Sequence, residues 1–246
     1  MGLFLSFPTK KTEKTSGMSP RAAAHRRAAE QGQPQAQYLL GYAYYRGDGV
    51  AQDDEVAAQW YRKAAEQGHA DAQKALGDLS DDNDVAVQWY SKAAEQGHAD
   101  AQQLLGALSK DREVAARWYR KAAEQGHADA QYSLGSAYYN GEGVARDHAL
   151  AVLWYRKAAK QGDAGAQERL GHAYYHGEGV TQDREVGVTW LRKAAEQGEA
   201  DAQYLLGEAY YHGTGVAQDR EAAVRWYRKA AEQGHSDAQE RLGHAY

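Results

Sequence analysis

A fourteen-residue segment recurs along the chain and constrains the fold more than any other feature. Residues 60–73 read WYRKAAEQGHADAQ, and closely similar segments begin at Trp89, Trp118, Trp154, Trp190 and Trp226. Self-similarity at a spacing of roughly 20 to 50 residues is the signature of stacked supersecondary repeats. The Ala-Gln pairs that mark the register begin at 36, 72, 101, 130, 166, 202 and 238. The sequence therefore predicts half a repeat over residues 21–35, repeats 1 to 6 over 36–237, and a partial repeat over 238–246.

Each repeat carries the signals of two helices, which we name helix A and helix B. In repeat 1, apolar residues recur at helical spacing over 36–46, and Gly47 can adopt the left-handed conformation that ends helix A. Helix B starts after the N-cap Asp53, and Trp60 and Tyr61 lie on its apolar stripe, where the tryptophans are predicted to fill the space between repeats. We expect an all-α fold of about fourteen helices. The predicted N-caps of the later helices A are Asp71, Asp100, Asp129, Asp201 and Asp237.

Charge, cysteine content and motifs exclude several classes of function. The formal net charge of −5 argues against a nucleic-acid-binding protein, and the absence of cysteine excludes disulfides and thiolate metal sites. The Gly-x-Gly-Val motif follows a helix, whereas a phosphate cradle leads into one after a strand. No Ser-His-Asp set recurs, so we predict a non-enzymatic protein without a cofactor. Basic pairs at the ends of helices B are attributed to the helix dipole; they are Arg62-Lys63, Arg120-Lys121, Arg156-Lys157, Arg192-Lys193 and Arg228-Lys229.

The repeat resembles a known family. Residues 40–73, LGYAYYRGDGVAQDDEVAAQWYRKAAEQGHADAQ, are similar to the Sel-one-like repeat, a relative of the tetratricopeptide repeat, in the Leu-Gly pair, the Gly-x-Gly-Val loop and the Ala-Ala-x-x-Gly turn. The resemblance covers residues 21–246. It implies a right-handed α/α superhelix, or solenoid, of antiparallel helix pairs. It also implies a scaffold or adaptor that binds a protein or peptide, with an envelope-associated or host-interaction ligand-binding or regulatory protein as the alternative.

Variable positions of helix A predict where a partner binds. A leucine recurs unchanged at 40, 76, 105, 134, 170, 206 and 242, whereas the positions equivalent to Tyr38 and Tyr42 vary and share one helix face. In the family that the sequence resembles, helix A lines the concave side, so we predict a partner-binding surface there; neutral variation on a solvated face is the alternative. We name these residues the helix A face: Tyr38, Tyr42, Tyr45, Tyr132, Ser136, Tyr139, His172, Tyr175, Tyr204, Glu208 and Tyr211.

Two repeats are short. Repeats 2 and 3 each lack seven residues relative to the others, which removes the end of helix A and the entire Gly-x-Gly-Val loop. Seven residues are about two helical turns, so the remaining apolar face stays in phase. We predict a notch spanning these repeats, flanked by the loops at 47–50 and 141–144, where a partner can dock; simple slippage of similar repeats is the alternative.

A histidine-rich group is a candidate metal site. His172 and His176 lie four residues apart on one helix A, and the next repeat places Glu208 and His212 at the same two positions. Imidazole and carboxylate ligands at this spacing can hold zinc. The alternative is that the histidines before Gly177 and Gly213 simply occupy helix ends where a cation is favourable.

The termini lie outside the complete repeats. Residues 1–20 are predicted to form a flexible arm, in which no basic residue precedes a short apolar run, so the segment does not fit a signal peptide. With no transmembrane stretch in the sequence, we expect a cytoplasmic protein. Residues 1–6, MGLFLS, fit the N-myristoylation pattern, with Lys10, Lys11 and Lys14 as a second signal, which leaves a lipid anchor as the alternative.

The partial repeats at the two ends are complementary. If Leu242, Ala245 and Tyr246 of one molecule packed against Ala24, Ala28 and Ala29 of the next, a composite repeat would form across the junction. Such a contact is heterologous and would give open head-to-tail chains. Fraying of a simple end is the alternative.

Overall fold

A computed structural model describes residues 17–244, and within this range it contains fourteen α-helices and no strand. The predicted all-α repeat fold is therefore confirmed. The described residues form two compact units that divide between Ala93 and Ala94. The helices are α1 (Pro20–Glu30), α2 (Pro34–Arg46), α3 (Asp54–Glu66), α4 (Ala70–Asp78), α5 (Asn83–Glu95), α6 (Ala99–Leu108), α7 (Arg112–Glu124), α8 (Ala128–Asn140), α9 (His148–Lys160), α10 (Ala164–His176), α11 (Arg184–Gln197), α12 (Ala200–His212), α13 (Arg220–Glu232) and α14 (Ser236–His244).

The first helix begins one residue before the predicted half repeat. The Ser19 side chain accepts a hydrogen bond from the Ala22 amide and caps α1, and Pro20 occupies the first helical turn. Proline fits there because its missing N–H would have no partner in the helix. Ser19 and Pro20 thus belong to the repeat array and not to a flexible arm. The predicted myristoylation pattern at 1–6 and the lysines at 10, 11 and 14 lie outside the described residues.

The predicted caps of helix B are correct, and those of helix A are wrong. Asp53 accepts from the Val56 amide at 3.0 Å, and Gly47 ends α2 with φ of 73°. Helix A instead starts one residue before each predicted aspartate, because the preceding alanine, or Ser236 before Asp237, is already helical. The aspartates Asp71, Asp100, Asp129, Asp201 and Asp237 therefore lie in the first turn. The N-cap is a histidine before four of these helices and Glu199 before α12. The capping Nδ1 atoms belong to His69, His98, His127 and His235, each 3.3 Å from a backbone amide nitrogen.

A glycine of helix A packs against an aromatic ring of helix B within one repeat. Tyr155 is only 2% exposed, and a β-carbon built on Gly135 would lie 2.7 Å from its ring. Only a residue without a side chain permits this approach. Leu191 takes the place of the tyrosine in repeat 5, opposite Gly171. This contact holds the two helices of a repeat together.

The tryptophans pack between repeats, as predicted from their spacing. Trp190 packs against a core cluster that is shared by α9 of repeat 4 and α10 of repeat 5 and includes Tyr155 and Leu170, and Trp226 packs against the core around Leu191. The lysine of each basic pair lies over the adjacent tryptophan ring, for example Lys193 Nζ at 4.3 Å from the Trp190 centroid. The cation–π contact gives these lysines an internal role.

A ladder of buried glutamines joins the helices. Gln131 donates to the Ala123 carbonyl at 3.1 Å and accepts from the Gln161 amide at 2.8 Å. Buried polar groups are costly unless they are hydrogen-bonded, and here each amide has a partner on both sides. Equivalent buried glutamines occur at Gln37, Gln73, Gln102, Gln167 and Gln203.

The short repeats have short helices A. The helices α4 and α6 contain 9 and 10 residues, whereas α8, α10 and α12 contain 13 each. The loop that follows a full-length helix A makes two contacts: its first glycine ends the helix, and its second lies on the preceding helix B. A β-carbon at Gly143 would overlap the Arg112 carbonyl. The deletion therefore removes both a helix end and a contact between repeats.

Candidate partner-binding surface

The tyrosines equivalent to Tyr38 are half-buried, with one side of each ring packed against the protein. Tyr204 stacks on the capping His235, with ring centroids 4.7 Å apart, and lies 5.9 Å from the buried Tyr227. Packing therefore fixes the ring before any partner arrives. The same arrangement places Tyr38 at 4.9 Å from His69 and 5.7 Å from Tyr61, and Tyr132 at 5.8 Å from Tyr155.

The residues equivalent to Tyr42 differ in how accessible they are. Tyr42 is 43% exposed. The Ser136 hydroxyl accepts from Tyr155 at 3.2 Å. Glu208 is already engaged, because its carboxylate accepts from the Tyr227 hydroxyl at 2.5 Å and from Arg241 Nε at 3.0 Å. Burial and the bond to Glu208 raise the pKa of Tyr227. Glu208 therefore holds Tyr227 and Arg241 in place, and its carboxylate is not free to contact a partner.

The outer row of the helix A face is formed by the tyrosines equivalent to Tyr45. Tyr45 is 42% exposed and Tyr211 is 40% exposed. Tyr139 is less accessible, because its ring stacks on His148 at 4.8 Å and its hydroxyl donates to Glu178 Oε2 at 3.0 Å. The hydrogen bond to Glu178 raises the pKa of Tyr139.

An arginine lies beside the outer tyrosine of repeat 6. The Arg220 guanidinium lies 5.7 Å from the Tyr211 ring centroid. In repeat 5, the Tyr175 ring contacts His176 edge-on at 5.1 Å. Tyr139, Tyr175 and Tyr211 of this row are therefore each oriented by a basic or imidazole neighbour.

The candidate metal residues do not form a common group. His172 pairs with His176, with ring centroids 4.3 Å apart, whereas His212 Nε2 lies 3.6 Å from Glu208 Oε2 in the next repeat. Within residues 17–244, no three His, Cys, Asp or Glu side chains are arranged to hold a metal ion. The bonds of Glu208 to Tyr227 and Arg241 explain why its carboxylate is directed elsewhere. Burial, and secondly His176, lower the pKa of His172.

A cavity lies beside the short helix α6. Its volume is about 210 Å³, and Tyr132 and Ser136 of the helix A face are on its wall. At its rim Arg112 and Glu142 form an ion pair with a 3.1 Å N–O distance, and both side chains are well exposed. The cavity lies at the deletion in repeat 3, and the notch across repeats 2 and 3 stays a prediction. The remaining lining residues are Gly106, Ala107, Ser109, Ala115, Ala116, Tyr119, Ser133 and Ala137.

The repeat pattern and the fold agree with a known family. A family model for the Sel1 repeat matches residues 34–69, 71–98, 101–127, 128–163, 164–199 and 200–235. The chain belongs to the Sel1 repeat family. Proteins of this family are generally non-enzymatic scaffolds for protein interaction.

Two solved structures resemble this Sel1 repeat protein along most of its length. One is c5321, described as a protective antigen present in uropathogenic Escherichia coli strains; it is 39% identical, with a TM-score of 0.85 over 91% of this chain. The other is a Sel1 repeat protein from Oxalobacter formigenes, which is 37% identical, with a TM-score of 0.77 over 93% of this chain and 70% of its own. The present chain spans about half, 51%, of the E. coli chain. No curated protein matched.

Three residues of the predicted head-to-tail junction, Ala28, Ala29 and Leu242, are packed within this Sel1 repeat protein itself, whereas Ala24 is exposed. Ala29 is buried against Ala36 and Leu40, with Ala28 beside it, and Leu242 packs against the core formed by α13 and α14. Ala245 and Tyr246 lie outside the described residues. Leu242, Ala28 and Ala29 therefore already have internal partners, and self-association stays a prediction. Within the described chain, no helix has the length and apolar character needed to cross a bilayer.

Sequence reasoning located the tyrosines but missed the charged residues between them. Arg112 and Glu142 were not singled out, although each occupies a fixed place in the Sel1 repeat. Arg112 follows the helix B cap, and Glu142 lies between the two glycines of the loop. Alignment of these two positions with His148 and Glu178, which hold Tyr139, was the signal that could have found them.

Proposed function

We propose that this Sel1 repeat protein is a non-enzymatic adaptor that binds a protein or peptide partner through the helix A face. The observation that supports this most is the composition of its exposed apolar surface. Of the six large hydrophobic side chains that the described residues expose, three are tyrosines of the helix A face: Tyr42, Tyr45 and Tyr211.

Tyrosine at these positions suits recognition for a physical reason. Its ring buries a large apolar area at a small cost in side-chain entropy, and its hydroxyl can donate or accept. Tyr38 and Tyr204 are each held by stacking on a capping histidine, so part of the ordering cost of binding is already met. Pre-oriented aromatic rings of this kind favour a polypeptide over a small ligand.

A peptide-display selection against the full chain tests the proposal. We expect enriched peptides whose affinity falls at least about tenfold in Tyr211→Ser or Tyr42→Ser, because buried tyrosines are typical interface hot spots. Leu153→Ser is the matched control, since Leu153 is 42% exposed but lies on a helix B. Failure to enrich any peptide, or equal losses in Leu153→Ser, would refute the proposed surface.

An envelope-associated or host-interaction role is the second candidate. It is supported by the E. coli relative, which is described as a protective antigen. Antibody labelling of intact cells that express the native protein would test it. Labelling only after the cells are lysed would contradict a surface location and leave the adaptor proposal unaffected.

A further inference from the structure

Repeat 4 shows what normally fills the space between two successive helices A. There, Tyr139 packs against the core of α9 and α10, its ring stacks on His148, and its hydroxyl donates to Glu178 of the next loop. The niche thus has three parts: an apolar wall, a flat group at the start of helix B, and an acceptor in the loop of the following repeat.

Repeat 3 keeps this niche but lacks its tyrosine. The deletion after Leu108 removes the residue equivalent to Tyr139. Arg112 occupies the repeat position of His148, and Glu142 occupies that of Glu178. The space is the cavity of about 210 Å³, whose apolar wall includes Ala115, Ala116 and Ala137. Arg112 and Glu142, without a ring between them, pair with each other at 3.1 Å.

The chemistry of the niche specifies a phenol. An arginine beside a tyrosine ring already occurs at the equivalent place in repeat 6, where Arg220 lies 5.7 Å from the Tyr211 centroid. A carboxylate that accepts from a tyrosine hydroxyl occurs at the equivalent place in repeat 4. The cavity is smaller than ordinary small-molecule sites, which measure roughly 300 to 1,000 Å³, and suits one side chain.

We propose that the repeat 3 niche binds a tyrosine side chain of the partner polypeptide. The ring stacks on Arg112, the hydroxyl donates to Glu142, and the partner supplies in trans the tyrosine that the full-length repeats supply themselves. This inference rests on the proposed adaptor function and names its anchor residue. The niche lies wholly within the second unit, so its geometry is defined by α6, α7, α8 and the loop at 141–144.

The peptide-display selection described above provides the first test. We expect the selected peptides to share a tyrosine. Replacing that tyrosine with phenylalanine is expected to weaken binding, measured by titration calorimetry, by roughly 10- to 100-fold, because a hydrogen bond to a carboxylate is lost. Glu142→Gln should weaken the tyrosine peptide severalfold or more and leave the phenylalanine peptide within twofold, so that the two changes are coupled.

Glu178→Gln is the matched control. Glu178 occupies the same loop position in the next repeat, but its niche is filled by Tyr139, so peptide affinity is expected to stay within twofold. Glu142 is 44% exposed on its side chain, so its replacement should leave the fold intact, which circular dichroism checks.

A second variant fills the niche with the chain's own sequence. Insertion of the seven residues YYNGEGV, copied from 138–144, after Leu108 restores the missing tyrosine and should abolish peptide binding. The same insertion with its second tyrosine replaced by alanine leaves the niche open and should therefore retain peptide binding. If no peptide is selected at all, both the adaptor and the niche are refuted. If peptides are selected without tyrosine, or bind Glu142→Gln and the insertion variant unchanged, only the niche is refuted.

Discussion

Tyr155 can be buried only because the residue opposite it has no side chain. A β-carbon at Gly135 would lie 2.7 and 2.8 Å from two ring carbons of Tyr155 and 3.3 Å from the Ala151 carbonyl oxygen. We expect Gly135→Ala to lower the free energy of unfolding by about 1 to 3 kcal/mol, the usual cost of overpacking. Urea denaturation would measure it.

Gly243 provides the control for this substitution. It occupies the same repeat position in α14, but nothing lies within 4 Å of the place where its β-carbon would be. Gly243→Ala should therefore leave stability unchanged or raise it by up to about 1 kcal/mol through helix propensity. Equal effects of the two substitutions would contradict the steric explanation.

The buried tyrosines predict how stability depends on pH. Burial raises the pKa of Tyr155 from its ordinary 10.0 to about 12. A raised pKa means that the neutral phenol stabilises the fold below the unfolded pKa, and that this contribution, roughly 2 to 3 kcal/mol, is lost as pH rises from about 10 through 12. We expect the urea midpoint to fall over this window, with a shallower fall in Tyr155→Phe. An unchanged slope in that variant would contradict the assignment.

At single residues, the sequence predicted the N-cap of helix B correctly but misplaced the N-cap of helix A. Asp53 was correct, because the helix B start is marked by a loop on one side and an apolar stripe on the other. The prediction of Asp129 as an N-cap was wrong. His127 and Asp129 are both polar, and which of them caps the helix depends on whether Ala128 is already helical. His127 Nε2 also contacts Asp100 Oδ1 at 3.3 Å, a contact between repeats that no local pattern specifies.

The glutamine ladder links elements that are adjacent in space. Gln131 on α8 bonds to the end of α7 and to Gln161 at the end of α9. Gln131→Ala would remove two hydrogen bonds, the one donated to the Ala123 carbonyl and the one accepted from Gln161, and the expected loss in the free energy of unfolding is about 1 to 3 kcal/mol, measured by thermal or urea unfolding. Gln239→Ala is the control, because Gln239 makes the equivalent bond to Ala231 at an exposed position. Losses of similar size in both variants would show that burial is not the cause.

The helix α12 lacks a side-chain cap and offers a gain in stability. Glu199 precedes α12 without capping it, whereas Asp163 at the same place before α10 accepts from the Ala166 amide at 2.6 Å. Glu199→Asp should therefore raise the free energy of unfolding by about 0.5 to 2 kcal/mol, and Glu199→Gln, which keeps the long side chain, should not. The urea midpoints of the two variants would decide. An equal gain in both would contradict the capping explanation, because Gln keeps the long side chain.

The elements themselves were largely predictable. Leucine at a fixed place and glycine after each full-length helix indicated fourteen helices, which the structure confirms within the described residues. The role of the second loop glycine was missed. Gly143 permits contact with the start of α7, and a contact between separate helices cannot be inferred from local periodicity.

At the scale of the whole molecule, the repeat register predicted the family and the place of the deletion, but not what the deletion exposes. The notch was expected from seven missing residues. Arg112 and Glu142 form an ion pair at 3.1 Å at the rim of the resulting cavity. The two residues are 30 positions apart in the sequence, and they meet because α7 packs against the loop that follows α8. The sequence therefore predicted the tyrosines of the candidate surface, whereas its charged residues were identified only in the structure.

The short repeats also predict where the array opens first. A solenoid is held by contacts between neighbouring repeats, so its local stability follows the number of such contacts. The end of α8 is secured by its loop, where Glu142 N donates to Ala137 O and Asp147 N to Tyr138 O, both at 2.9 Å, and Gly143 rests on α7. The helix α6 ends without such a loop, and α4 does likewise in the first unit.

We therefore expect backbone amides to exchange with solvent fastest, among interior helices, in α4 and α6. Mass spectrometry of deuterium uptake would compare α6 with α8 in the second unit and α4 with α2 in the first. The helices compared have similar sequences, so differences in intrinsic exchange rate are small. Insertion of YYNGEGV after Leu108 should slow exchange in α6 and leave α10 unchanged, because only the contacts next to the insertion are restored. Exchange in α6 as slow as in α8 before insertion would show that the loops contribute little to local stability, and that the helix pairs are held by the Gly-Tyr contacts and the glutamine ladder alone.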